Sequence, residues 1–114
     1  MVSFTPEQIL YDRQRILELV SIVGGIRDHV EIYRLLVKAK QLEPNLQFRY
    51  DLCEFVRFSV TQGLIHDDVE ALISLGYLED TGKAIKITDL GKEYLNNRSP
   101  SKDREIFQRV KSLD

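Results

Sequence analysis

Apolar residues recur at helical spacing along most of this chain, and the polar residues between them mark where each helix starts and stops. Ile9, Ile16, Val20 and Val23 share one face, with Leu17 and Leu19 widening it. Ahead of them Thr5-Pro6-Glu7-Gln8 offers a cap, a proline suited to the first helical position and a glutamine to complete a capping box. This predicts a helix over residues 6–23, ended by Gly24-Gly25. Asp28 with Glu31 forms a second capping box before Ile32, Leu35, Leu36 and Val37, and Pro44 closes that helix.

Residues 46–57 fit two patterns. Leu46, Phe48, Tyr50 and Leu52 alternate as in a strand, whereas Phe48, Leu52, Phe55 and Val56 are spaced as in a helix that Asn45 would cap. The helix reading agrees better with the segment that follows. There Thr61 caps a helix whose stripe is Ile65, Val69, Leu72 and Ile73, with Leu64 and Leu75 at its edge. Gly63, Asp67, Glu70 and Ser74 point away from the stripe, His66 lies on its flank, and Gly76 ends the helix. Tyr77-Leu78-Glu79 and Ala84-Ile85-Lys86-Ile87 then pair around Asp80-Thr81-Gly82-Lys83, a tip with turn residues. Thr88 or Asp89 caps a helix through Leu95, residues 96–101 form a polar hinge, and a last helix carries Ile106, Phe107, Val110 and Leu113 on one side.

The string YDLCEFVRFSVTQGLIHDDVEALISLGYLED, followed by IKITDLGKEYL, resembles winged helix-turn-helix regulators of bacteria and archaea over about residues 30–95. In them a leucine and a small residue sit on the second helix, here Leu52 and Cys53. A Ser or Thr caps the third, here Thr61, and an apolar residue follows four later, here Ile65. That helix closes with a leucine and a glycine step, here Leu72 and Gly76-Tyr77-Leu78. A Leu-Thr-x-x-Gly stretch follows the wing, here Ile87-Thr88-Asp89-Leu90-Gly91. The resemblance implies a mainly α fold with a winged-helix core near 28–96 and one β-hairpin wing; chain length and periodicity make this a single domain over residues 1–114 with extra helices at 6–23 and 101–113. The resemblance also implies a transcriptional regulator that places the third helix on double-stranded DNA. Two departures stand out. Arg57 replaces the turn glycine, and the turn before the third helix is about two residues longer than in the tight DNA-reading form.

Charge sharpens the functional question. Between Arg57 and Lys83 there is no Lys or Arg, while Asp67, Asp68, Glu70, Glu79 and Asp80 all fall in that gap. Affinity for DNA rests on neutralising phosphates with Lys and Arg. Residues 41–80 hold two basic residues against eight acidic ones, a net of −6, and residues 81–114 hold eight against five, a net of +3. DNA contacts would therefore come from Thr61 and Gln62 at the start of the third helix, from His66, and from Lys83, Lys86 and Lys92 on the wing and the next helix. Gln62 is the best placed to bond a base edge, with His66 and Ser74 weaker. The plainer reading of Lys83 and Lys86 is as solvated hairpin charges. The alternative partner is a protein docking on the acidic third helix.

The remaining chemistry is sparse. The formal net charge of −2 gives no global field, and a lone Cys53 leaves no intrachain disulfide, in keeping with a reducing cytoplasm. No apolar run reaches the roughly 18 residues needed to cross a bilayer, and nothing at the N-terminus resembles a signal peptide. His29 and His66 are far apart in the sequence, and His66 with Glu70 supplies only two ligands at helical spacing, so neither a metal, a cofactor nor catalysis is expected. Cys53 reads as a small core residue; Arg49 and Arg57 one turn away are the cations a reactive thiol would need. The apolar stripe of the last helix needs cover. It either joins a two-fold homodimer through Ile106, Phe107, Val110 and Leu113, or packs on the N-terminal helix of its own chain.

Overall fold

A computed structural model describes residues 4–52 and 60–113. The chain is mainly helical with one small hairpin. In order it forms α1 (Pro6–Val23), α2 (His29–Leu42), α3 (Val60–Ser74), β1 (Leu78–Asp80), β2 (Ile85–Ile87), α4 (Asp89–Asn96) and α5 (Arg104–Leu113). No described helix is long and apolar enough to cross a membrane.

The helix boundaries follow their local chemistry. Thr5 and Gln8 make the reciprocal capping box, with Pro6 just inside the helix. Asp28 accepts from the Glu31 N–H at 3.0 Å, but the Glu31 carboxylate lies toward Arg27 instead. At the end of α3, the Tyr77 N–H reaches the Leu72 carbonyl and the Gly76 N–H that of Ile73, with Gly76 at φ +83°. That pair of bonds needs a left-handed residue, which glycine adopts without strain. Thr88 caps α4 by accepting from the Gly91 N–H, and its hydroxyl donates to the Gly76 carbonyl. The hairpin is thereby fastened to the end of α3. Gly91 is required by space: a Cβ there would overlap the Tyr77 carbonyl oxygen.

β1 and β2 pair antiparallel, Leu78 with Ile87, Glu79 with Lys86 and Asp80 with Ile85. Ile26, between α1 and α2, joins the free edge of β2 by exchanging both backbone hydrogen bonds with Ile85. One apolar core collects Ile16, Leu17, Leu19 and Val20 of α1, Ile32 and Leu36 of α2, Ile65 and Leu72 of α3, Leu78 of β1, and Phe107 and Val110 of α5. The N-terminal helix is therefore central to the core and not an addition to it.

Three expectations change. Residues 46–52 are not helical. Their backbone groups bond side chains from elsewhere: the Leu46 carbonyl accepts from Lys40 Nζ, the Gln47 carbonyl from Arg15, and the Arg49 N–H donates to Asp12. A helix would need those groups for itself. The remainder of that expected helix lies outside the described residues, as do Cys53, Arg57 and the reading of Cys53 as a core thiol. The capping role of Thr61 rests on a side chain outside the described ones; α3 spans Val60–Ser74. Asp68 is not part of the acidic surface but buried. Finally, the expected interface residues Ile106, Phe107 and Val110 are core residues covered by α1 and α2, and only Leu113 faces outward. The polar hinge before α5 is clipped to α1, with Ser101 donating twice to Glu18 and Gln14 bonding the Ser99 carbonyl.

Phe107→Ala is therefore expected to cost about 3–5 kcal/mol, read from urea denaturation. Truncation after Asn97 is expected to unfold the domain. A truncated chain that still melts cooperatively would show α5 to be dispensable.

Candidate functional site

The outward face of α3 carries Gly63, Asp67, Glu70 and Ser74, all exposed, with His66 half exposed beside them. Its inward face is Ile65, Val69 and Leu72. Thr61 and Gln62 fall in its first turn. His66 meets His29 of α2 with ring centroids 5.1 Å apart and edges to faces, so two residues distant in sequence become neighbours. His66 Nε2 lies 3.7 Å from Glu70 Oε1. A hollow of about 140 Å³ next to this pair is bordered by Asp28, Glu70 and Asp80, with Val69, Ile73 and Ile85 as its floor. Among the described residues no three His, Cys, Asp or Glu side chains converge as a metal site requires.

The expected cationic set does not gather on that face. Lys83 is exposed at the hairpin turn, and Lys86 is exposed on β2 opposite Glu79. Lys92 of α4 borders a different cavity, of about 260 Å³, with Glu18, Ile22 and Arg104. Three separate places thus hold Thr61, Gln62 and His66, then Lys83 and Lys86, then Lys92.

Beneath α3 lies a buried ionic cluster that the helical pattern of the sequence did not bring out. Asp68, 2% exposed, accepts from Arg13 Nε at 3.0 Å, from Arg49 Nη2 and from the Tyr50 hydroxyl. Asp12 accepts from the Arg49 N–H and Nε and from Arg15 Nη2. Arg15 also donates to Asp103 at 2.9 Å, and its guanidinium lies between the rings of Tyr11 and Phe48, 4.3 and 3.7 Å from their centroids. Three arginines face three aspartates, so the cluster is neutral as a unit. Its signal in the sequence was the placing of Asp12 and Arg15 three apart on the same face as Ile16 and Leu19, where a surface charge does not belong.

Burial disfavours the charge on Arg49, but Asp68 and Asp12 outweigh it and hold its pKa above the ordinary value. Burial also pushes the Tyr50 phenol well above its usual 10, and the negative charge of Asp68 adds to the effect. The phenol therefore stays protonated and donates to Asp68. No family model, curated protein or solved structure matches the chain.

Asp68→Ala is expected to destabilise by about 3–5 kcal/mol, because it removes one of the two carboxylates that hold Arg49 and leaves the buried Tyr50 hydroxyl without its acceptor; chemical denaturation measures it. Tyr50 sets the alkaline limit. The unfolded phenol ionises above pH 10 while the folded one does not, so the stability this group contributes is complete below pH 10 and drains away above it. Above that pH the wild type should lose stability faster than Tyr50→Phe, by up to about 1.4 kcal/mol per pH unit. Parallel pH profiles for the two proteins would refute this assignment.

Proposed function

We propose that this protein is a winged-helix recognition module that docks a basic protein surface on the exposed face of α3, in the cytoplasm. The winged-helix reading draws support from the order α2, α3, β1, β2 and from the Ile26 edge pairing on β2. Residues 43–52, which follow α2, are not helical.

The observation that carries the choice of partner is the charge on that face. Asp67 and Glu70 are exposed there, Asp28 and Asp80 border it, and α3 has no Lys or Arg. Against phosphates such a face is repulsive, whereas basic side chains are attracted to it and wrong partners are turned away. Arg27 is the neighbouring cation, and it lies against Asp28 and Glu31 at 3.7 and 3.9 Å.

A second reading, a DNA-binding regulator, rests on a different observation. Lys83, Lys86, Lys92, Arg98, Lys102, Arg104, Arg109 and Lys111 are all exposed. On that reading hairpin and tail hold phosphates, and Gln62 reads bases. A homodimer, if formed, uses a surface other than the α5 stripe.

Titration into labelled duplex DNA at low and moderate salt separates the two. The docking reading expects no DNA binding at low salt, and weak, salt-sensitive binding of a Lys/Arg-rich peptide that is lost in Asp67→Lys/Glu70→Lys. Salt-steep DNA binding weakened by Lys83→Ala/Lys86→Ala would establish the second reading instead.

A further inference from the structure

On the other side of the ionic cluster, between α1 and residues 45–49, lies a cavity of about 420 Å³. That volume is in the range of small-molecule sites, which combine apolar walls with a few fixed polar groups. The apolar walls are Tyr11 and Phe48, and the charged groups are Arg15, Arg49, Lys102 and Asp12. Asp12 is occupied by both arginines. Lys102 is exposed and makes no ion pair among the described residues. Arg15 and Arg49 are neutralised by Asp12, Asp68 and Asp103, so the positive charge left over at the lining is that of Lys102. Arg15 Nε is a buried donor with no hydrogen-bond partner, an arrangement that folded proteins avoid without a reason.

We infer that this cavity binds a small organic carboxylate with a compact apolar body. Lys102 at the cavity attracts the carboxylate, and the edges of Tyr11 and Phe48 accept the apolar part. Arg15 Nε is covered, with the rings of Tyr11 and Phe48 on its guanidinium. Phe48 precedes Arg49, which holds Asp68 of α3. Arg49 therefore belongs both to this lining and to the clamp on Asp68.

The test uses the intact protein with three probes: benzoate, neutral benzamide of the same shape, and acetate, which has the charge without the body. Calorimetry is expected to show benzoate binding at least about tenfold tighter than either control, with Lys102→Gln weakening it by about tenfold. Lys102 is exposed, and circular dichroism checks that the variant folds. The Arg15 Nε–H signal in nuclear magnetic resonance is expected to shift with benzoate. Equal binding of benzamide, an unmoved Arg15 signal, full affinity in Lys102→Gln, or no binding of benzoate up to about 10 mM would each overturn the site. None of these outcomes depends on whether α3 docks protein or DNA.

Discussion

A carboxylate removed from water costs several kcal/mol unless its partners are in place, and Asp68 is such a group. Its partners come from two other parts of the chain: Arg13 from α1, and Arg49 and Tyr50 from the segment after α2. The apolar stripe of Ile65, Val69 and Leu72 turns Asp67 and Glu70 to solvent. The hydrogen bonds to Asp68 add direction to that non-directional burial and let a carboxylate sit on the inner side of α3.

The same cluster explains why residues 46–52 forgo regular structure. Lys40, Arg15 and Asp12 take up backbone groups there that a helix would otherwise use. Leu46 and Tyr50 still reach the core, so the segment is anchored by both polar and apolar contacts. At the far end of the chain, Arg15 with Asp103 and Glu18 with Ser101 dock the approach to α5 against α1. The core is then completed by Phe107 and Val110, and the basic residues of the tail remain outside.

Surface electrostatics follows from these placements. Taking Asp68 out of the count lowers the acidity of α3 but does not remove it, and the hairpin contributes Asp80 to the same side. Lys86 is set opposite Glu79, which cancels part of the charge that a phosphate contact would use.

The ends of α1, the starts of α2 and α4 and the end of α3 were legible in the sequence, because caps and stops act within a few residues. Thr5 with Gln8, Asp28, Gly76 and Thr88 are local chemistry, and all four take the places their neighbours imply. The hairpin was legible for the same reason, as were the inner and outer faces of α3, apart from Asp68. Tertiary structure alone decided the rest. Periodicity says that the stripe of α5 must be covered, but not by what, and the answer was α1 and α2 of the same chain. It could not show that Asp68 meets Arg13, 55 residues away, or that His29 meets His66. It also could not settle residues 46–52, since their backbone partners lie in α1 and α2. Such contacts depend on how the chain closes in three dimensions, and local pattern carries no record of it.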